Sequence, residues 1–134
     1  MSTRKIASRI AVALLAAAAL CGESAATPSS LLADYAALAG RAPDTARGAS
    51  LFTTRQGRDW SCSSCHGALP VGPGRHTVTG KPIAPMAPAA NSDRFSNAAK
   101  TEKWFRRNCN DVLARECTAG EKADVLAWLM TLKP

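Results

Sequence analysis

One short stretch of the sequence constrains the chain more than any other: Cys62-Ser63-Ser64-Cys65-His66. Two thiols three positions apart, with an imidazole directly after the second, form the arrangement that attaches a c-type haem through two thioether links and supplies an iron ligand. A zinc site would need further ligands, and a thioredoxin-like redox pair would need a preceding strand and a βαβ context, which the sequence does not show. The motif therefore predicts one covalently attached haem c, bound by Cys62 and Cys65, with His66 as the proximal iron ligand.

The first 26 residues have the pattern of a secretory signal peptide. They contain a charged start (Arg4 to Arg9), an apolar centre (residues 10–20) and a small-residue cleavage site (Ser24 to Ala26). The apolar run is shorter than the roughly 20 residues that a membrane-spanning helix needs. We therefore expect cleavage near Ala26, export to the periplasm without stable membrane insertion, and a single domain over residues 27–134.

Removal of the signal leaves a basic chain with four cysteines. Besides the two of the haem motif these are Cys109 and Cys117, and an even count suits an oxidising compartment in which a disulfide persists. The formal charge of the whole sequence is +7, and loss of three basic residues and one acidic residue with the signal leaves +5. A positive chain favours encounter with acidic partner surfaces. Nucleic acid binding is not indicated, because the basic residues are scattered and no recognisable binding motif accompanies them.

Helical periodicity and capping residues predict four helices in the mature chain. They run over residues 28–39, from Asp44 to about Thr54, from a cap at Ser96 or Asn97 to about Leu113, and from a capping box at Thr118 and Glu121 to about Leu132. Between them, residues 67–88 carry five prolines and four glycines, which exclude a long helix or a central strand. The sequence thus predicts an all-α domain in which this loop wraps the edge of the haem.

Gly48 lies inside the second predicted helix, where glycine costs about 1 kcal/mol in helix propensity. A close crossing with another helix would offset that cost. The pair Gly48 and Phe52 resembles the first helix of class I cytochromes c, in which a glycine lets the first and last helices touch. We therefore expect class I cytochrome c-like helices around the haem, with Gly48 in contact with the final helix.

The residue that faces His66 across the iron decides the function. A tightly held soft ligand gives an electron carrier, whereas a weakly held one gives a site for small molecules. Met86, on the proline-rich loop, is one candidate. It lies only 20 positions after His66 and precedes two whole helices. A role in packing against the haem therefore explains this methionine at least as well as a role as iron ligand.

Asn108 is the other candidate for the sixth ligand. It belongs to a predicted apolar stripe of the third helix, which consists of Trp104, Phe105, Asn108, Cys109 and Val112. A bare amide there would cost roughly 1–3 kcal/mol if left without a partner, and an iron beside it would satisfy its carbonyl oxygen. An asparagine near a helix end also often bonds to the backbone, so the position alone leaves the choice open.

Several blocks of the mature chain carry a family resemblance. They are Gly57-Arg58 and Trp60 ahead of CSSCH, Thr79 to Lys81 (TGK), Pro85 to Pro88 (PMAP), Arg94-Phe95, Glu102 to Cys109 (EKWFRRNC), Cys117-Thr118 and Glu121 to Asp124 (EKAD). Together they resemble the sphaeroides haem protein family, which are periplasmic monohaem cytochromes c. The resemblance covers about residues 46–132, and WFRRNC is its most specific part.

This resemblance implies a labile ligand. In that family the asparagine at the position of Asn108 is the sixth ligand of the oxidised haem and leaves on reduction, and the cysteine after it forms a disulfide, here Cys109 with Cys117. The reduced form binds oxygen and nitric oxide, and a dihaem cytochrome c and a membrane cytochrome b serve as electron partners. The chemistry of the residue agrees: an amide oxygen is a hard, neutral donor that suits Fe(III) better than Fe(II), so reduction is expected to open the site.

Two other functions remain open from the sequence. A plain electron carrier would use His66 and Met86 as iron ligands. An enzyme acting on nitric oxide or peroxide would need a distal acid or base, and no histidine or carboxylate is clearly placed for that role. We therefore expect an electron-transfer and gas-binding protein without catalytic residues. The other residues considered as contacts of the haem carboxylates are Arg58, Trp60, Arg75, His76 and Lys81.

Overall fold

The structure, a computed structural model, describes residues 25–134, so the predicted signal peptide lies almost wholly outside the described residues. That part of the chain contains five helices and one hairpin: α1 Pro28–Ala39, α2 Thr45–Thr53, α3 Cys62–His66, β1 Gly74–Arg75, β2 Pro82–Ile83, α4 Ala98–Leu113 and α5 Ala119–Thr131. The all-α prediction is confirmed, and the four predicted helices end at or next to the expected residues. None of the helices described has the length and apolar character to cross a membrane.

A polar side chain caps the start of each of the four long helices by accepting a backbone hydrogen bond. The caps are Thr27, Asp44, Asn97 and Thr118. Such a cap stabilises a helix by about 1 kcal/mol, because it satisfies an N–H group that the first turn leaves unpaired. The predicted capping box of Thr118 and Glu121 is present. Of the two residues considered for α4, Asn97 is the cap.

The core forms where α1 and α2 pack on α5. Its large buried side chains include Leu31, Tyr35, Phe52, Leu126 and Leu129. Helix α4 adds Phe105, whose ring meets that of Tyr35 edge to face, with the ring centroids 5.9 Å apart. Aromatic pairs in this arrangement contribute about 0.5–1.5 kcal/mol beyond the area that they bury. The core is therefore continuous from α1 to α4.

Gly48 brings α2 and α5 into close contact, as the sequence predicted. A Cβ atom on this residue would collide with the backbone carbonyl of Asp124 in α5. A backbone cannot move aside as the end of a flexible side chain does. Any larger residue at this position therefore has to separate the two helices.

Replacing Gly48 by alanine is expected to lower the free energy of unfolding by about 1 kcal/mol, because overpacking typically costs about 2 kcal/mol and the gain in helix propensity offsets about 1 kcal/mol of that. Gly72→Ala is the matched control, since no atom of the part of the chain that the structure describes lies within 4 Å of a Cβ atom placed there. Urea unfolding of the two haem-loaded variants measures the difference. Equal unfolding midpoints would contradict the close crossing.

Asp124 ties α5 to the residues around the start of α2. Its side chain is only 4% exposed. Its carboxylate accepts hydrogen bonds from both terminal nitrogens of Arg41 at 2.9 and 2.7 Å, from Nε of Arg47 at 3.0 Å, and from the backbone N–H of Asp44 at 2.7 Å. Burial alone would raise the pKa of this carboxyl, but these bonds outweigh burial and hold the pKa well below its usual range.

The loop predicted after the haem motif contains a small antiparallel hairpin. Its register pairs Gly74 with Ile83 and Arg75 with Pro82. His76 stabilises the turn, because its Nδ1 accepts hydrogen bonds from two backbone N–H groups of the same turn, at 3.3 and 3.1 Å. Gly74 packs against the backbone carbonyl of Cys65, where a Cβ atom would collide. The hairpin therefore supports the second half of the haem motif.

Candidate haem site

The CSSCH motif folds as the short helix α3, and its two serines hold the turn in place. Oγ of Ser64 accepts the backbone N–H of Ser61 at 3.0 Å, and the hydroxyl of Ser63 donates to the carbonyl of Thr53, the last residue of α2, at 3.4 Å. Residues three or four positions apart lie on the same face of a helix. The first cysteine therefore shares a face with the second cysteine and the histidine.

Within residues 25–134, neither cysteine of the motif, Cys62 or Cys65, takes part in a disulfide. Burial raises the pKa of the Cys62 thiol to about 11. Sγ of Cys65 lies 3.6 Å from the hydroxyl of Thr77 in the hairpin. Two unpaired thiols within one helical turn are what two thioether links require, so the residues fit a covalently bound haem.

His66 packs against the aromatic part of the core. Its ring centroid lies 6.1 Å from that of Phe52, which is in turn 5.0 Å from that of Trp128 in α5. Burial, and then the charge of Arg94, lower the pKa of His66 to about 4. The imidazole is therefore neutral at neutral pH, which is the form that binds a metal.

Met86 lies next to the chain segment that leaves His66. The backbone N–H groups of Met86 and Ala87 both donate to the carbonyl oxygen of Pro70, at 2.9 and 3.0 Å. Pro70 follows His66 by only four residues. The Met86 side chain is partly buried against the core. This arrangement favours a packing role for Met86 over a position across the iron from His66.

One flank of helix α4 makes polar contacts with α1 and α5. Glu102 accepts a hydrogen bond from the hydroxyl of Tyr35 in α1 at 2.6 Å and pairs with the ammonium group of Lys122 in α5 at 2.7 Å. The buried centre of α4 lies next to this flank and consists of Thr101, Phe105 and Cys109. The two contacts of Glu102 thereby determine which face of α4 points to the core.

The opposite flank of α4 is open, and it carries Trp104 and Asn108. Trp104 is 43% exposed, and Asn108, one turn later, is half-buried. Trp104 therefore lies at the edge of the apolar stripe that the sequence predicted, and Phe105 at its buried centre. The reason is the pair of contacts that Glu102 makes with α1 and α5, because they orient α4 so that Phe105 points inward and Trp104 lies at the edge.

The side chain of Asn108 makes no hydrogen bond to any residue between 25 and 134. The other asparagines of this region do bond: Asn91, Asn97 and Asn110. Asn110 shows the alternative that the sequence left open for Asn108, because its amide donates to the carbonyl four residues earlier at 2.7 Å. The amide of Asn108 is thus available to a group from outside the chain.

Cys109 and Cys117 form a disulfide, with their Cα atoms 5.6 Å apart, which is the pairing that the resemblance implied. The bridge joins α4 to the residue before the cap of α5. On the chain-entropy model a loop of this length contributes about 2.5 kcal/mol to stability. Because Cys109 directly follows Asn108, the bridge also fixes the turn that presents Asn108.

Arg94 is a residue of the site to which the sequence pattern assigned no role. Its Nε donates to the carbonyl of Pro85 at 2.9 Å, and its Nη2 donates to the carbonyl of Ala84 at 2.7 Å. Arg94 is half-buried, and its charge reaches His66, whereas the sequence candidates Arg58 and Arg75 are exposed. In the sequence, the only indication that Arg94 matters was its place in the block Arg94-Phe95 of the family resemblance.

A haem-attachment motif on a short helix, a neutral histidine after it and a shell of helices define a small c-type cytochrome. Comparisons with known proteins agree. The chain is 50% identical over 121 residues to the cytochrome c-type protein SHP of Cereibacter sphaeroides, a match that covers 87% of this chain and 92% of that protein. It is 42% identical over 80 residues to cytochrome c'' of Methylophilus methylotrophus, which covers 60% of this chain and 56% of that protein.

The fold comparison gives the same result. The structure of oxidised SHP, described as an oxygen-binding cytochrome c, superposes with a TM-score of 0.74 at 50% identity and covers 80% of this chain and 98% of that chain. The solution structure of cytochrome c'' from Methylophilus methylotrophus, described in relation to haem-ligand detachment, gives 0.70 at 34% identity, with 80% and 94% covered. A family model described as a domain of unknown function, DUF1924, matches residues 38–129.

This chain belongs to the SHP family of c-type cytochromes, as the sequence blocks predicted. Its cofactor is accordingly one covalently attached haem c. Which residues hold the haem follows from the geometry above and is proposed next.

Proposed function

We propose that this protein is an exported, periplasmic monohaem cytochrome that receives electrons from partner cytochromes and, once reduced, binds a diatomic gas, O₂ or NO, at the position that Asn108 vacates. Cys62 and Cys65 hold the haem, His66 is the proximal ligand, and Asn108 is the distal ligand of the ferric form. The haem supplies an iron that changes oxidation state and that, when ferrous, favours softer and π-accepting ligands.

The observation that carries this proposal is the unpartnered amide of Asn108 on the open flank of α4. Its carbonyl oxygen is a hard donor, which suits ferric iron better than ferrous iron. Between residues 25 and 134 no hydrogen bond to this side chain has to break when it approaches or leaves a ligand position. Lability on reduction is therefore a property of the donor atom and needs no change of fold.

The known relatives support the same function. SHP is described as oxygen-binding, and the solution structure of cytochrome c'' is described in relation to detachment of a haem ligand. In this chain the disulfide next to Asn108 holds the backbone of α4 in place. Movement of the ligand is thereby confined to rotation of the Asn108 side chain.

Electron donation by other cytochromes is the second part of the proposal. The donors that the family resemblance implies are a dihaem cytochrome c and a membrane cytochrome b. Around the exposed Trp104, α4 presents three exposed basic residues, Lys100, Lys103 and Arg107, none of which forms an ion pair within the described chain. The guanidinium of Arg107 lies 5.6 Å from the centroid of the Trp104 ring. A basic surface of this kind speeds encounter with an acidic partner.

A Met86→Leu variant tests the proposal against a plain electron carrier. Leucine keeps the apolar volume and removes the thioether, so we expect a stability change below about 1.5 kcal/mol. The oxidised and reduced absorption spectra and the binding of carbon monoxide by the reduced protein are expected to match those of the wild type. If Met86 were the sixth ligand, the variant would instead become high-spin in the ferric state, and that result would contradict the proposal.

A further inference from the structure

Arg94 differs from Arg41 and Arg115 in the kind of group that it binds. Arg41 and Arg115 each pair with a carboxylate at 2.7 Å. Arg94 makes no ion pair within residues 25–134 and donates instead to the carbonyls of Ala84 and Pro85. It is therefore a guanidinium held in a fixed position without an anion.

Of Arg94, Arg41 and Arg115, Arg94 is also the one whose charged form the surroundings stabilise least. Burial lowers the pKa of Arg94, whereas the hydrogen bonds that Arg41 and Arg115 donate to carboxylates raise the pKa of those two residues. Burial of a charge without a counter-charge costs free energy. An anion bound at Arg94 would remove that cost.

The backbone beside Arg94 is strained in a way that fixes the side chain. Phe95 has a φ of 60°, in the left-handed region that bulky residues rarely adopt, and its side chain is buried in the core. Strain of this kind persists only where the surrounding packing enforces it. The burial of Phe95 thus anchors the chain at the point from which Arg94 extends.

We propose that Arg94 binds a carboxylate of the haem; this inference rests on the proposed attachment of the haem at α3. A guanidinium has five N–H donors, of which the two backbone carbonyls use one at Nε and one at Nη2. The three that remain lie on its two terminal nitrogens, which form the fork that binds a carboxylate with two parallel hydrogen bonds. The carboxylates of the haem are its anionic groups. Arg94 binds the carbonyl of Pro85, and the next two residues, Met86 and Ala87, donate to the carbonyl of Pro70, four residues after His66. These contacts bring the fork to the haem site.

Arg94→Gln removes the charge and keeps a polar side chain. Loss of a positive charge beside the haem favours the ferric form, so the ferrous/ferric equilibrium constant is expected to shift about tenfold toward ferric, which equals 59 mV for one electron. The resonance Raman bending band of the haem carboxylates is expected to shift as well. Arg94→Lys keeps the positive charge, so its ferrous/ferric equilibrium constant is expected to lie close to that of the wild type. Its Raman band is expected to stay shifted, because an ammonium group cannot form the two parallel hydrogen bonds of a guanidinium.

Arg75→Gln is the matched control, because Arg75 is an exposed arginine of the hairpin that donates to the Gly80 carbonyl at 2.8 Å. Its equilibrium shift is expected to stay below about twofold, since solvent screens an exposed charge. A shift in Arg75→Gln equal to that in Arg94→Gln would overturn the inference. An Arg94→Gln protein with an unchanged potential and an unchanged Raman band would also overturn it, because a side chain that only clamps the loop alters stability alone.

A crystal structure of the wild-type holoprotein keeps the inference testable if Arg94→Gln fails to fold. A terminal nitrogen of Arg94 within about 3 Å of a haem carboxylate oxygen is the expected result, and a separation beyond hydrogen-bond range from both carboxylates would overturn the inference. Haem staining of the wild type on a denaturing gel separates the two proposals. Absence of covalent haem would refute the proposed function and this inference together, whereas covalent haem with a distant Arg94 would refute the inference alone.

Discussion

Replacing Asn108 by alanine is expected to leave the haem attached and to empty the sixth position of the ferric iron. The ferric absorption and electron paramagnetic resonance spectra should change completely from low-spin to high-spin, because alanine carries no donor atom. The reduced protein should keep the spectrum and gas binding of the wild type, since Asn108 has left the iron in that state. This difference between the two oxidation states is what a labile hard ligand predicts.

Asn110→Ala is the matched control for this experiment. Asn110 has the same side chain two positions later on α4, is exposed, and donates to the carbonyl of Arg106 at 2.7 Å. Loss of that bond should change the free energy of unfolding by about 1 kcal/mol or less and leave both spectra as they are. A ferric Asn108→Ala protein that stays low-spin would refute Asn108 as the ligand.

The largest expected effect on stability comes from Asp124→Asn, which should lower the free energy of unfolding by about 3 kcal/mol. The variant leaves Arg41 without its anion, whereas Arg47 keeps its ion pair with Asp44 at 2.9 Å. The figure lies at the low end for broken buried ion pairs, because Arg41 and Arg47 are 40% and 53% exposed and regain water. Urea unfolding measures the change. Asp59→Asn, at an exposed residue, is the control and is expected to stay within about 0.5 kcal/mol of the wild type.

The pH dependence of the Asp124→Asn effect provides a further check on the same carboxylate. Folding depresses the pKa of Asp124 below the unfolded value of about 4. Its stabilising contribution is therefore fully present above that value and is lost as the pH falls through the lower pKa of the folded state. The difference in stability between wild type and variant should shrink as the pH drops below about 4. A difference that stays constant down to the acid limit would show that the carboxylate charge is not the cause.

The features of the fold that depend on residues close together in the sequence could be predicted from it. Helix ends follow from local caps such as Asn97 and Thr118, and the glycine at position 48 signals a close crossing because it costs propensity inside a helix. The pairing of Cys109 with Cys117 followed from the family resemblance. In each case the signal lies within a few residues or within a recognisable block.

The elements that depend on distant residues could not be predicted in this way. In the sequence, Asp124 is one more polar residue of a helix, and its burial depends on Arg41, which lies 83 positions away. The orientation of α4 likewise depends on contacts of Glu102 with Tyr35 and Lys122. Helical periodicity defined a broad apolar stripe, and only these contacts show that Trp104 lies at its edge.

The absorption spectrum of the purified holoprotein tests the central proposal most directly. It is recorded in the oxidised state, after reduction without air, and after addition of carbon monoxide or nitric oxide to the reduced protein. We expect a low-spin oxidised form that becomes high-spin on reduction and takes up the gas at once. Low-spin spectra in both states, with the near-infrared band of a methionine–iron bond and no uptake of gas, would contradict a labile Asn108 and would identify an ordinary electron carrier.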